Sequence, residues 1–79
     1  MTVQRITMDS SGKERLMVDG YSFNFHKLLA EGAARYKCTS KCTSYLILSK
    51  EDIITKVIHK HNHPRPNYIK LGNGNYLRV

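Results

Sequence analysis

Two cysteines and a closing pair of histidines constrain this chain more than any other feature. Three residues separate Cys38 from Cys42, and 18 more separate Cys42 from His61-Asn62-His63. The whole chain has 79 residues, so it is one domain at most. A domain this small buries only about 60% of the surface that its unfolded chain exposes, and it usually needs a disulfide, a metal or a partner to hold it. Residues 1–12 lack the apolar core of a signal peptide. No run approaches the roughly 20 apolar residues that span a membrane. The expected setting is therefore intracellular, where metal ligation by Cys38 and Cys42 is favoured over a disulfide between them.

Two thiolates and two imidazoles suit tetrahedral Zn²⁺. Cys38 and Cys42 flank one tight turn, Thr39-Ser40-Lys41. His61 and His63 are two apart on an extended segment, so both rings point the same way. A helical histidine pair needs a wider spacing, and Pro64 stops a helix here, so the site belongs to a β-type module. Four protein ligands leave no position for an activated water, which makes a single structural zinc the expectation. His59 shares the face of His61 and competes with His63 as a ligand if the chain bends before Asn62. His26 is a more distant competitor.

The flanking sequence reads as strands. Asp19-Gly20 lies between alternating apolar residues and marks a two-residue hairpin, because such turns demand positive φ. In that register Val18 faces Tyr21 and Leu16 faces Phe23. Residues 26–34 read as a loop with one helical turn. A third strand is expected at 34–38, a fourth at 42–48 and a fifth at 53–61, with Ile53, Thr55, Val57, His59 and His61 on one face. Asn73-Gly74 marks a second hairpin within 67–79. The expected fold is small and mostly β: a zinc-stabilised antiparallel sheet of four to five strands with an added C-terminal hairpin. Residues 1–12 form a polar lead-in, 13–66 the zinc-binding domain and 67–79 the C-terminal extension.

The order Gly12…Leu16-x-x-x-Gly20-Tyr21-x-Phe23, Tyr36-x-Cys38, Cys42 and His61-Asn62-His63-Pro64 resembles the FLYWCH zinc finger over about residues 6–66. The resemblance implies that Cys38, Cys42, His61 and His63 bind the zinc. It also implies a zinc-bound antiparallel sheet related to the WRKY and glial-cells-missing domains. The chain departs from the family pattern in having no Trp and in its short Cys-to-Cys loop. Modules of this kind occur in nuclear proteins. Some bind DNA, and others are variable C-terminal modules of insect chromatin and insulator proteins that recognise protein.

Charge bears on that choice. Thirteen Lys and Arg against six Asp and Glu give a formal +7. Zn²⁺ with two thiolates is neutral, so this surplus remains after metal binding and favours a polyanionic partner. Arg35 and Lys37 alternate away from Tyr36 and Cys38. Lys56 and Lys60 alternate away from Val57 and His61. If these strands share a sheet, the four cations form a basic face for DNA, with Ile54 and Ile58 on the same side. The alternative is a chromatin-protein partner held by Tyr68, Ile69, Leu71, Tyr76 and Leu77 of the C-terminal hairpin. No nucleophile–base pair or phosphate loop has a recognisable spacing, so an enzyme acting on a small-molecule substrate is not expected. Nor is a membrane partner. The expected location is the nucleus.

Overall fold

A computed structural model describes residues 3–79. Six strands form one antiparallel sheet in chain order: β1 (Gln4–Thr7), β2 (Glu14–Val18), β3 (Tyr21–Leu28), β4 (Ala34–Cys38), β5 (Tyr45–Leu48) and β6 (Ile54–Ile58). A separate hairpin follows, β7 (Tyr68–Lys70) and β8 (Tyr76–Arg78). Among the described residues, no helix is long and apolar enough to cross a membrane.

The β2–β3 hairpin has the register that its turn dictates. Asp19 and Gly20 adopt φ of 53° and 80°, and Val18 pairs with Tyr21 and Leu16 with Phe23. Positive φ at both central positions matches the right-handed twist of the strands. Gly20 meets a second demand. A Cβ there would lie 2.6 Å from Cδ of Arg65, which folds over the turn.

Side-chain alternation then divides the sheet into two faces. The inner face carries the core: Leu16, Val18, Phe23, Cys38, Leu46 and Leu48 are buried, with Tyr21, Tyr36, Ile54 and Val57 packed beside them. Two bulges adjust this division. One lies between Phe25 and Lys27, where His26 is the extra residue. The other sets Ile47 against Lys56 but Leu48 against Ile54, leaving Thr55 unpaired. A bulge reverses the alternation beyond it. Ile54 therefore packs on the core while Lys56 faces outward, so Ile54 does not dilute the basic side as strict alternation requires. The expected common face of Ile53, Thr55, Val57, His59 and His61 is broken for the same reason. Ile53 lies outside the strand and is exposed.

The sheet also gains a sixth strand from the segment read as a polar lead-in. β1 pairs with β2, setting Ile6 opposite Arg15 and Arg5 opposite Leu16. Ile6 and Met8 are buried on the outer face. Their alternation with Arg5 and Thr7 is the signal for this strand. The segment 26–34 holds less loop than expected. β3 runs on to Leu28, and only Ala30–Gly32 makes a 3₁₀ turn.

The C-terminal hairpin forms, with a different turn. Leu71 N–H donates to Asn75 O, and Gly74 N–H donates to Leu71 O. Gly74 alone in this loop has positive φ, 89°. This is a three-residue connection ending in a left-handed glycine, so Asn73-Gly74 does not form a two-residue turn. The hairpin docks on the outer face of β1–β3. The Tyr68 hydroxyl donates to Ser22 Oγ at 2.7 Å and accepts from Arg15 at 2.9 Å. Ser22, 1% exposed, passes the chain of bonds to Thr39 Oγ1 at 2.7 Å. Asp9 N–H donates to Tyr76 O, and Asn73 and Asn75 both donate to the Asp9 carboxylate.

Candidate metal centre

Cys38 ends β4, and its amide donates to Ser44 O at 3.1 Å, closing the loop that carries Cys42. Lys41 takes the left-handed conformation, φ 58°, that turns the chain back. The Ser44 hydroxyl accepts the amide of Lys60 at 2.7 Å, which ties the approach to His61 against the same loop. The extended segment past β6 then delivers His61 and His63 to the two sulfurs. Four ligand atoms, one from each of Cys38, Cys42, His61 and His63, lie within 4.8 Å of one another.

The donor set can be tested against a metal. Zn–S bonds near 2.3 Å and Zn–N bonds near 2.0 Å at tetrahedral angles give edges of about 3.5 Å for S···N and about 3.3 Å for N···N. His61 Nδ1 lies 3.6 Å from Cys38 Sγ, 3.5 Å from Cys42 Sγ and 3.4 Å from His63 Nε2. The Cys38 Sγ–His63 Nε2 edge is shorter, 3.2 Å. The residues fit one tetrahedral Zn²⁺, which would bind His61 through Nδ1 and His63 through Nε2.

The free ring nitrogens fix these choices. His63 Nδ1–H donates to Pro64 O at 2.8 Å, which leaves Nε2 for a metal. On the other ring, His61 Nε2 lies 3.2 Å from His59 Nδ1. His59 thus stands behind His61, on the side away from the sulfurs. It does not replace His63. Tyr21 stacks flat on His61, with ring centroids 3.5 Å apart and planes 1° from parallel. The Arg65 guanidinium also lies over the Tyr21 ring, 5.2 Å from its centre, and its Nε donates to Asp19 O. His26 sits at the β3 bulge, exposed and on a different part of the sheet.

Ionisation favours ligation at two of the four residues, Cys42 and His61. Burial alone pushes the Cys42 thiol up. The hydroxyl and amide of Ser44, with Cys38 and His63, hydrogen-bond its sulfur and bring it down to about 6. Burial raises Cys38. Burial and then the positive charge of His59, His63 and Arg65 lower His61, favouring the neutral ring that a metal requires. Bonding to Pro64 O and then to Cys42 raises His63.

The other expected residues separate. Arg35, Ile47 and Lys56 form one row across β4, β5 and β6, while Lys37, Tyr45 and Ile58 form the next. Arg35 lies over the Tyr45 ring at 4.1 Å and Lys56 at 5.7 Å. Lys60 lies past the end of β6, outside these rows. Sequence reasoning passed over Lys27, which the bulge places opposite Arg35, and Tyr45. Alternation of Tyr45 with Leu46 was the available signal for the second. In the C-terminal hairpin, the Tyr68 hydroxyl is engaged within the fold, and Leu71 and Tyr76 are half-buried. Ile69 and Leu77 pair across the strands and are exposed, 49% and 38%.

A family model for the FLYWCH zinc finger domain matches residues 6–63, from the middle of β1 through the last histidine ligand. Comparison with curated proteins and with solved structures returned no match.

Proposed function

The chain belongs to the FLYWCH zinc finger family, and from that premise we propose that it is a nuclear module whose basic sheet face binds DNA. Zinc and the inner face hold the sheet; the outer face of β3–β6 makes the contact. One observation carries this reading. Strands β3 to β6 contain no Asp or Glu, while Lys27, Arg35, Lys37 and Lys56 share the face that the C-terminal hairpin leaves bare. All six acidic residues of the chain lie in β2 or in turns and loops. The surplus field has a local consequence. His26 is lowered by desolvation and then by the charges of Lys37, Arg35 and Lys27. Phosphate neutralisation by such a face supplies sequence-independent affinity, and the Tyr45 ring holds two of the cations in place.

A second reading has its own observation. Ile69 and Leu77 form an exposed apolar pair on the outward side of the C-terminal hairpin, which a chromatin protein partner could cover. A salt series with duplex DNA separates the two. DNA binding must weaken with a log–log slope near −0.9 per phosphate neutralised. Absence of binding at low salt overturns the DNA reading and leaves the protein partner.

A further inference from the structure

We propose that His59 and Asp19 are positioning residues of the metal centre, acting on the zinc through His61. His61 Nδ1 faces the two sulfurs, so its Nε2 carries the proton and donates to His59 Nδ1 at 3.2 Å. His59 Nε2 then carries its own proton and faces the Asp19 carboxylate, with 3.4 Å between Nε2 and Oδ2. The order is carboxylate, imidazole, imidazole, metal. The His61 proton has one donor and one acceptor, and the Asp19 carboxylate stands beside the far nitrogen of His59. A hydrogen-bond acceptor behind a ligating histidine holds the ring plane and raises the basicity of the metal-bound nitrogen.

The backbone supports the arrangement independently. Asp19 occupies the left-handed first position of the β2–β3 turn, at φ 53°. Arg65 clasps that turn by donating to Asp19 O at 2.6 Å. His59 follows directly after β6. The relay therefore joins the tip of one hairpin and the end of the last sheet strand to a metal ligand. Tyr21, stacked on His61, restrains the same ring from its face. This explains a polar pair on the surface that zinc ligation by itself does not use.

Zinc affinity, measured by competition with a chromophoric chelator, tests the relay. His59→Leu removes both the acceptor and the donor, and a loss of about 10- to 100-fold is expected, as for other outer partners of metal ligands. His59→Gln keeps an amide oxygen for His61 and an amide N–H for Asp19, so it should recover most of that loss. Asp19→Asn keeps the turn, since Asn tolerates positive φ, and should weaken zinc by a smaller factor. The Co²⁺-loaded chain adds a readout that general destabilisation does not move: the ligand-field bands should shift in His59→Leu and return in His59→Gln. An affinity for His59→Leu within about twofold of the unaltered chain, with unchanged bands, overturns the relay. Should His59→Leu not fold, Asp19→Asn decides, and unchanged affinity in that variant overturns it. An unaltered chain that binds neither ion overturns the metal site and the relay together.

Discussion

The inner face of the sheet excludes water with Leu16, Val18, Phe23, Leu46 and Leu48 and is closed at one end by the metal ligands. The outer face is covered over β1–β3 by a hairpin held through hydroxyls and amides, and is bare and basic over β4–β6. The inner arrangement is the one on which folding depends. A sheet of this size has few fully buried apolar side chains, and the metal replaces the core that is missing at the loop end. The outer arrangement is a set of replaceable contacts, each of modest worth. The comparison predicts a graded response: perturbations on the inner side remove the fold, and those on the outer side change its surface.

Metal removal tests the inner side with the largest expected effect. Structural zinc contributes about 10–16 kcal/mol in small modules, comparable to the whole stability of a small domain. EDTA, or Cys38→Ser, should therefore unfold the chain, read by loss of amide dispersion in NMR. Acid should act alike. Cys42, lowered from 9.0 to about 6, contributes stability that is complete above 9.0 and lost as the pH falls through about 6. Protons at His61 and His63 compete with the metal in the same direction. Zinc release should be centred below neutrality, and a chain that stays cooperative with EDTA breaks the comparison. Next in size comes Phe23→Ala, at a fully buried position. It should cost about 3–5 kcal/mol in denaturant unfolding with zinc present.

Tyr68→Phe tests the covered part of the outer face. It leaves Arg15 without its acceptor and Ser22 without its donor. The expected loss is about 1–2 kcal/mol, with the zinc affinity unchanged. A larger effect on zinc would show the hairpin to be part of the inner arrangement, through Arg78, which donates to Thr39 Oγ1 and Ser40 Oγ in the metal loop.

Much of the inner face could be read from the chain. Asp19-Gly20 admits one hairpin register, and that register already sets Leu16 against Phe23. The ligand spacing identifies all four metal residues because few other uses exist for that set in so short a chain. The outer face was harder to read, because it depends on distant partners. Ile6 and Met8 alternate with polar neighbours in a segment too short to stand alone, and the hairpin that meets this segment, with Tyr76 bridged to Met8, comes more than 60 positions later. The two bulges carry no glycine or proline to mark them, so Ile54 and Lys27 change sides without local warning. Asn73-Gly74 fits both two- and three-residue loops, and the choice depends on how the hairpin docks.

The smallest expected effect on stability belongs to the bare part of the outer face, and there the comparison becomes a functional test. Lys37→Ala and Lys56→Ala remove exposed cations that make no salt bridge with any described residue. Stability should stay within about 0.5 kcal/mol of the unaltered chain. If the face binds DNA, each substitution should weaken duplex binding roughly uniformly across sequences and reduce the salt slope by about one. Ile69→Ser, on the covering hairpin, should leave that slope unchanged. The opposite pattern, with the slope insensitive to both lysines, would move the contact away from β4–β6. Lys37 and Lys56 lie on opposite sides of Tyr45, one paired with it across β4–β5 and the other over its ring. A slope change in both variants therefore puts phosphates on both sides of that ring, whereas a change in one alone confines the contact to a single edge of the sheet.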